Sequence, residues 1–307
     1  MITGRPAWSW PGGAKLALTV VVNVEEGSEY SLADGDPLPE PVDELGVVVK
    51  KPVRMHGNES NYRYGIEEGA ERILALLHEH GVAATWTAAA VALERAPKLA
   101  AAIRERTKTV GDEVCAHGWR WVHQFRMNEA DERAFIRKAA DSIEASTGQR
   151  PAGWLSRYLH TGHTRRLLQE EGFRYHMDDY SADTPFWAPV EGSAQPMLVL
   201  PYALDSNDMK MWLAPAYTPA MWLQYACDSF DWLLAEGHSA CYADRPRMMS
   251  LGLHLRIIGR PGRIGALRRF FEHVQGAGVA GGVWITTRRA VAEHYAANVP
   301  MPGQAQP

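Results

Sequence analysis

The first strong hydrophobic pattern in the chain is an apolar run that ends in two acids. Residues 20–24 contain four valines, which is typical of a strand buried on both faces. Glu25, Glu26 and Gly27 follow directly. A buried carboxylate must be protonated, paired or metal-bound, and parallel α/β folds place catalytic groups at the carboxyl ends of their strands. The alternative is a solvated strand end with two surface acids.

Strand and helix patterns then alternate along the chain. Short apolar runs predict strands over 15–24, 83–90, 110–116, 153–155, 175–179, 197–201, 248–255 and 282–285. Amphipathic stretches predict helices over 66–79, 97–106, 128–147, 164–171, 220–236 and 262–276, with one more at the C-terminal end. This alternation is typical of a single parallel α/β domain, and it favours a barrel.

The segment 27–64, between the first strand and the first predicted helix, has no hydrophobic periodicity. It contains turn formers such as Gly35 and Pro39. A connection of this length is usually either functional or disordered. Its polar and aromatic end, residues 56–64, is not of low complexity, so we expect an ordered loop over the active site that governs the choice of substrate.

Composition narrows the classes of partner. The 307-residue chain has a net charge of −4, which gives no electrostatic basis for binding nucleic acid or an anionic membrane. Cys115, Cys227 and Cys241 are widely spaced, which fits a reducing cytoplasm better than a disulfide framework. The sequence shows no secretory signal and no apolar run near the ~18 residues of a membrane span. We expect a cytoplasmic protein that acts on a small molecule.

Polar side chains recur just after the predicted strands. They are Glu25, Glu26, His117, Arg157, Asp178, Asp205 and His254. The carboxyl ends of the strands of a parallel barrel meet on one face, whereas chance placement on the surface would scatter these residues. The pattern therefore predicts one site, in which the acids near the start of the chain face a histidine near its end.

Six motifs carry a recognisable order: residues 23–27 (NVEEG), 62–65 (YRYG), 116–121 (AHGWRW), 207–209 (NDM), 248–254 (MMSLGLH) and 259–262 (GRPG). In this order they resemble the polysaccharide deacetylase superfamily, and most closely its branch of bacterial allantoinases and cyclic imide hydrolases. The resemblance implies an irregular seven-stranded (β/α) barrel. We expect that barrel to span 15–297, with an N-terminal arm at 1–14 and a C-terminal tail at 298–307.

Two positions depart from the metal-dependent deacetylases of this superfamily. Those proteins end their first strand in two aspartates, a base and a metal ligand, where this chain has Glu25 and Glu26. Their second motif has two metal-binding histidines four residues apart, whereas here His117 is followed by Trp121, with His123 farther on. Catalytic metal sites normally have three protein ligands. The allantoinase-like pattern implies catalysis without a cofactor; a divalent metal such as Zn²⁺, if bound, would use Glu26, His117 and His123.

The matched motifs imply catalytic roles. Glu25 is expected to be the general base that activates water, with a pKa raised by burial and by repulsion from Glu26. The alternative for this pair is one base and one structural acid bonded to backbone N–H groups. Arg157 is expected to orient a carboxylate through a bidentate pair, with an ordinary surface arginine as the alternative. His254 is expected to protonate the leaving nitrogen or polarise the carbonyl, and His117 to help hold the oxyanion or the water.

Five further residues are candidates for substrate binding. Tyr64, Trp119 and Trp121 are expected as walls of the pocket, because large aromatic side chains more often pack than react. Asn207 and Asp208 follow a predicted strand and are able to hydrogen-bond an amide or ureido group. An Asx-capped turn explains these two residues equally well.

Three functions remain open at this point. The leading one is hydrolysis of a C–N bond in a small cyclic amide, such as a cyclic imide, allantoin or a related ureide. A metal-dependent N-deacetylase acting on an acetylated sugar is the second, and a catalytically inactive binding protein is the third. The resemblance also implies a homotetramer, and an exposed aromatic arm at Trp8 and Trp10 would suit a subunit contact.

Overall fold

The strands of the protein form one curled sheet in the computed structural model, which describes residues 8–42, 44, 46–239, 246–278 and 282–303. The strands are β1 (Leu16–Val24), β2 (Ala84–Ala88), β3 (Glu113–Ala116), β4 (Gly153–Trp154), β5 (Tyr175–His176), β6 (Phe186–Ala188), β7 (Met197–Val199), β8 (Arg247–His254) and β9 (Val283–Thr286). Their order is β6-β7-β5-β4-β3-β2-β1-β8, and β9 pairs with the first half of β1. The predicted α/β barrel is confirmed.

One strand pair differs from the all-parallel expectation. β6 and β7 are antiparallel, whereas the other paired strands are parallel. The physical reason is the short connection 189–196, because a parallel pair needs a long crossover and an antiparallel pair needs only a turn. The sequence pattern did not predict β6.

Helices cover the outside of the sheet. Their bounds are α1 (His56–Tyr64), α2 (Ala70–Glu79), α3 (Ala90–Arg95), α4 (Pro97–Thr109), α5 (Glu129–Thr147), α6 (Thr164–Glu170), α7 (Pro219–His238), α8 (Leu255–Ile258), α9 (Pro261–Gly278) and α10 (Arg288–Asn298). The expectation of an irregular segment up to residue 64 is wrong for its last part, which is α1. Only Asn58 and Tyr62 of that helix are buried, so it lacks the apolar stripe by which periodicity is recognised.

β1 lies at the centre of the barrel and is buried along its whole length. Its even-numbered residues pack in a cluster with the surrounding helices, whereas Ala17 and Val21 pack in a second cluster inside the barrel. Since alternate side chains of a strand point to opposite faces, Asn23 and Glu25 share the inward face with Val21. The valine run therefore builds the core and also brings Glu25 to the open end of the barrel.

The barrel closes between β8 and the segment that follows β7. Asn207 forms an isolated parallel bridge with Gly252. The hydroxyl of Ser206 donates to the carbonyl of Ser250 at 2.6 Å, and the backbone N–H of Ala203 donates to the hydroxyl of Ser250 at 3.0 Å. Because β8 also pairs with β1, these contacts bring the segment beside the carboxyl end of β1.

Two tryptophans cover the amino-terminal end of the barrel. Trp10 is buried, and its indole N–H donates to the carbonyl of Arg247 at 2.8 Å. Trp8 packs edge-on against Trp10 and Tyr295, with ring centroids 4.5 and 5.1 Å apart. The expectation of an exposed aromatic arm is therefore wrong for Trp8 and Trp10, because their rings pack on their own barrel.

The remaining sequence expectations concern the cysteines, the two ends of the chain and a membrane span. Cys115 is buried and Cys227 is half-buried, and both are free thiols. Cys241, residues 1–7 of the expected arm and residues 304–307 of the expected tail lie outside the described residues. Among the helices of the described ranges, none is both long and apolar enough to cross a membrane.

Candidate active site

Glu25 enters a cluster of basic side chains at the mouth of the barrel. Its Oε1 lies 3.3 Å from Nε2 of His254 and 3.4 Å from Nε2 of His117. Its Oε2 accepts a 2.8 Å hydrogen bond from Nη1 of Arg256. All four side chains are more than nine-tenths buried. The structure thus brings the early acid and the late histidine together, as the motif order predicts.

The pKa values of the two adjacent acids shift in opposite directions. Burial alone would raise the pKa of Glu25, but the charges of His254 and Arg256 outweigh burial and hold that pKa well below its usual range. Burial raises the pKa of Glu26, Arg256 opposes that shift only in part, and Glu25 adds to it. The expectation of a raised pKa is therefore wrong for Glu25, because the sequence does not show which cations face it.

Glu26 is a structural acid bonded to backbone N–H groups. Its Oε2 accepts from the backbone of Glu25 at 3.0 Å, and its Oε1 accepts from the backbone of Arg256 at 3.1 Å. A Cβ atom on Gly65 would lie 2.6 Å from the same Oε1. Glycine at this position therefore allows the helical turn Gly65–Gly69 to approach the carboxylate, and the contacts favour one base and one structural acid.

His254 is held in its orientation by Asp208. Its Nδ1 donates to Oδ1 of Asp208 at 2.6 Å, while the backbone N–H groups of His254 and Ile258 donate to Oδ2 at 2.7 and 3.1 Å. Burial lowers the pKa of His254, but Glu25 and Asp208 outweigh it and raise the pKa to about 9. The imidazolium therefore directs its Nε2–H toward Glu25 at neutral pH. The expected contact of Asp208 with substrate is wrong, because this carboxylate is buried against His254.

His117 is fixed in one tautomer by two hydrogen bonds. Its Nδ1 lies 2.7 Å from the carbonyl of Leu155, and a carbonyl only accepts, so Nδ1 carries a proton. The indole N–H of Trp121 donates to Nε2 at 3.1 Å. Nε2 therefore has no proton, so in this arrangement His117 offers none to an oxyanion, whereas the expected alternative, that it helps to hold the water, stays a prediction. The expectation that Trp121 forms a wall of the pocket agrees with its position.

Arg256 is a site residue that the sequence reasoning missed. Besides Glu25, its Nη1 contacts Oε1 of Glu26 at 3.3 Å, and its guanidinium lies 4.2 Å from the ring centroid of Tyr62. The side chain is fully buried. An arginine directly after the strand that carries His254 was the available signal, but nothing in the local pattern identifies its distant partners.

Arg157 forms a bidentate ion pair with Glu40, which sequence reasoning also missed. Its Nη2 and Nη1 lie 2.5 and 2.8 Å from the two carboxylate oxygens, and Nη1 also donates to the carbonyl of Trp121 at 2.8 Å. The guanidinium stacks 3.7 Å from the ring centroid of Trp121. Arg157 thus orients a carboxylate as expected, but that carboxylate belongs to Glu40 in the segment after β1. The ion pair therefore holds this segment against the wall of the site.

The three candidate metal ligands do not form one site. Oxygen atoms of Glu26 accept backbone N–H bonds, Nε2 of His117 accepts from Trp121, and Nδ1 of His123 bonds to the carbonyl of Arg157 at 3.0 Å. Within the described ranges no group of three His, Cys, Asp or Glu side chains has the arrangement of a metal site. These residues therefore do not fit a three-ligand metal centre.

A small cavity of about 30 Å³ lies beside the Glu25 cluster. Its lining includes Asn23, Glu25, His117, Trp121, Leu155, Ser156, Arg157, Tyr158, Tyr180, Tyr202, Leu204, Asn207, Met209 and His254. Tyr158, Tyr180 and Leu204 are 49%, 45% and 43% exposed and form its rim. A cavity of this size holds roughly one or two waters, so a substrate enters only when these rim side chains move.

Asn207 lines the cavity while also capping a turn. Its Oδ1 accepts from the backbone of Met209 at 2.9 Å, which is the Asx-turn alternative, and its Nδ2 donates to the hydroxyl of Tyr202 at 3.1 Å. Both ends of the amide therefore contact protein groups. Its predicted position next to the substrate remains compatible with its place on the cavity wall.

Tyr64 and Trp119 do not line this cavity. The hydroxyl of Tyr64 accepts from Arg72 at 2.6 Å, and the guanidinium of Arg260 lies 3.6 Å from its ring centroid. The ammonium of Lys138 lies 3.2 Å from the ring centroid of Trp119. The expectation of pocket walls is therefore wrong for both residues, which pack against other long cationic side chains instead.

Comparison with known proteins identifies the family. The model of the family described as polysaccharide deacetylase matches residues 60–176. A Schizosaccharomyces pombe protein named for these deacetylases is 33% identical over 95% of this chain and 93% of its own length. The chain belongs to the polysaccharide deacetylase family. This polysaccharide deacetylase homologue is accordingly a hydrolase of that family.

Two solved structures are similar to this family member over nearly their whole length. The crystal structure of PuuE allantoinase is 37% identical, with a TM-score of 0.87, and the match covers 97% of this chain and 96% of that one. A probable polysaccharide deacetylase from Pseudomonas aeruginosa PAO1 is also 37% identical, with a TM-score of 0.85, and covers 95% and 94%. One of these structures is named as an allantoinase and the other as a probable polysaccharide deacetylase, so the similar proteins include both kinds of hydrolase that the sequence left open.

Proposed function

We propose that the protein opens a small cyclic amide by hydrolysis of a ring C–N bond. The substrate class is a cyclic imide, allantoin or a related ureide. The observation that carries the proposal is the placement of Glu25 and His254 3.3 Å apart beside one small cavity, with a lowered pKa that favours the ionised acid and a raised pKa that favours the imidazolium. A base and an acid in these states are what amide hydrolysis needs at neutral pH.

The reaction assigns one step to each group. Glu25 accepts a proton from water as the water oxygen attacks the ring carbonyl carbon. The C–N bond then breaks, and Nε2 of His254 gives its proton to the leaving nitrogen. The open product carries a new carboxyl group and a neutral amide or ureido nitrogen. Asp208 keeps Nδ1 of His254 protonated and oriented, while Arg256 keeps Glu25 ionised.

The electrostatics of the site support a neutral substrate. Glu25 and Glu26 face Arg256, Arg157 is neutralised by Glu40, and His254 lies between Glu25 and Asp208. Each of these three cations therefore faces at least one carboxylate.

We propose further that this hydrolysis requires no metal. The indole N–H of Trp121 occupies Nε2 of His117, the atom that a metal would need. A metal-dependent N-deacetylase of acetylated sugars is the second candidate, and the family name of the S. pombe and P. aeruginosa relatives favours it. An inactive barrel that only binds a ligand is the third, and the joint placement of Glu25 and His254 weighs against it.

The test is turnover of succinimide, hydantoin, allantoin and a chitooligosaccharide, each before and after treatment with a chelator. We expect hydrolysis of at least one ring at a rate that chelation does not change. Deacetylation of the sugar that stops on chelation would replace this proposal with the second candidate. Binding without turnover of any of the four would favour the third.

We also propose that the protein assembles into a homotetramer, as its resemblance to the allantoinase branch implies. Tryptophans 8 and 10 pack on their own barrel, so other surfaces must form the contacts. Light scattering coupled to size-exclusion chromatography measures the mass of the particle directly. A mass four times that of the 34.1 kDa chain is expected, and a monomer would contradict it.

A further inference from the structure

The hydroxyl of Tyr202 occupies an unusual position in the cavity. Tyr202 follows β7, and only 6% of it is exposed. Its oxygen accepts two hydrogen bonds, each of 3.1 Å, from Nδ2 of Asn23 and Nδ2 of Asn207. The two donors come from different elements, β1 and the segment that closes the barrel.

Both amide groups are held in the orientation that directs N–H at Tyr202. Nδ2 of Asn23 also donates to the carbonyl of Leu253 at 3.0 Å, and its Oδ1 accepts from the hydroxyl of Thr87 at 2.6 Å. Oδ1 of Asn207 accepts from the backbone of Met209. Since a carbonyl only accepts and a backbone N–H only donates, neither amide can be reversed.

These contacts leave the phenol with one unused function, its own proton. A tyrosine hydroxyl both accepts and donates hydrogen bonds, and the oxygen of Tyr202 already accepts two. Within the described part of the chain the hydroxyl donates to no protein group. Burial raises the pKa of Tyr202 above its ordinary value, so the hydroxyl keeps this proton.

The unused proton lies in the same cavity as the reacting groups. Tyr202, Asn23, Glu25 and His254 all line it, and Asn23 and Glu25 share the inward face of β1. Space for the hydroxyl depends on Gly252 of β8, where a Cβ atom would lie 2.3 Å from the Tyr202 oxygen. Three elements of the barrel therefore combine to hold a neutral O–H donor beside the base and the acid.

We propose that Tyr202 is a catalytic residue that donates its O–H to the carbonyl oxygen of the ring as negative charge develops there. This inference rests on the proposed function. No covalent bond to Tyr202 forms and its proton stays on the phenol, because the donor only stabilises the charge. The two N–H groups that bond to its oxygen polarise the O–H and strengthen it as a donor.

The kinetic test compares Tyr202→Phe with Tyr225→Phe, which removes a hydroxyl from the exposed side of the molecule. On the ring that the wild type hydrolyses, Tyr202→Phe is expected to lower kcat by about 10²- to 10³-fold, the usual effect of losing one oxyanion donor. KM should change little, and the melting temperature should fall by a few degrees, because two buried amide N–H groups lose their acceptor. Wild-type kcat in Tyr202→Phe would overturn the inference while leaving the proposed function intact.

Gly252→Ala serves as a second variant, because the added methyl group would displace both the hydroxyl of Tyr202 and the amide of Asn207 that bonds to it, without removing either group. A loss of kcat similar to that of Tyr202→Phe is expected, and wild-type kcat in Gly252→Ala counts against the inference. If the wild type hydrolyses none of the rings, the proposed function fails by itself.

In that case, infrared spectroscopy tests the contact between Tyr202 and the ring carbonyl directly. Infrared spectra of carbonyl-labelled succinimide bound to Glu25→Gln are compared with those from the double variant with Tyr202→Phe. A shift of the carbonyl band to higher frequency in the double variant supports the contact. An unchanged band, or no binding to either protein, overturns it.

Discussion

Oε1 of Glu25 lies 3.3 Å from Nε2 of His254, so that an anion and a cation from opposite ends of the chain share one cavity. Each charge stabilises the other. His254 contributes to the low pKa of Glu25, and Glu25 contributes to the pKa of about 9 of His254. The catalytic protonation states are therefore a property of the pair, which titrates as a coupled unit.

This coupling predicts a bell-shaped dependence of kcat/KM on pH. Activity requires ionised Glu25 and protonated His254. Because the pKa of Glu25 is lowered, the acid limb should lie below the usual range of a glutamate. Because the pKa of His254 is raised, activity should fall only as pH rises through about 9. An alkaline limb near the ordinary pKa of histidine, about 6.5, would contradict this assignment.

Replacement of Asp208 should shift the alkaline limb alone. In Asp208→Asn the carboxylate that supports the imidazolium is lost, so the pKa of His254 falls and the limb moves to lower pH. We expect kcat at pH 8 to fall by about 10-fold or more, in line with a lost general acid. Asp205→Asn, an exposed neighbour, is the matched control. Equal pH profiles for Asp208→Asn and wild type would show that Asp208 does not set this pKa.

Arg256 should matter for stability as well as activity. Arg256→Met removes the buried cation that the carboxylates of Glu25 and Glu26 share, and breaking such a buried ion pair typically costs about 3–5 kcal/mol. Denaturant unfolding measures this loss in the free energy of unfolding. The control is Arg268→Met, which breaks an exposed pair with Glu79 and should change the free energy of unfolding little. Similar losses in the two variants would refute the account of Arg256.

The buried pair of Glu40 and Arg157 should hold the segment after β1 against the site. Glu40→Gln leaves the guanidinium of Arg157 with an uncharged partner, so amide hydrogen exchange should accelerate across residues 28–42. Glu59→Gln, which breaks an exposed pair with Arg54, is the control and should leave that exchange unchanged. Unchanged exchange in Glu40→Gln would mean that other contacts, such as the pair of Arg120 and Asp36, suffice.

The parts of the site on β1 and β8 were predictable because they lie in strong local patterns. The valine run fixes the strand and hence the place of Glu25, and a histidine at the end of a late strand can be recognised in the same way. Arg256, Glu40 and Tyr202 have no such signal. Their roles depend on partners far away in sequence, which only the closed barrel brings together.

Other errors have similarly specific causes. The helix α1 has too few apolar residues to show a helical period, so it was predicted as a loop. The pKa of Glu25 was predicted in the wrong direction because its neighbour in sequence, Glu26, is an anion, whereas its neighbours in space, His254 and Arg256, are cations. The local sequence indicates which residues belong to the site, but the pKa values of those residues depend on contacts that only the folded chain makes.

The most direct test of the central claim is kcat of chelator-treated wild type and Glu25→Gln on the same cyclic amide. Glutamine keeps the size of the side chain and removes its basicity. We expect the wild type to stay fully active after chelation and Glu25→Gln to be slower by about 10²- to 10⁴-fold, the usual contribution of a general base. Wild-type turnover by Glu25→Gln, or loss of wild-type activity on chelation, would contradict catalysis by this carboxylate without a metal.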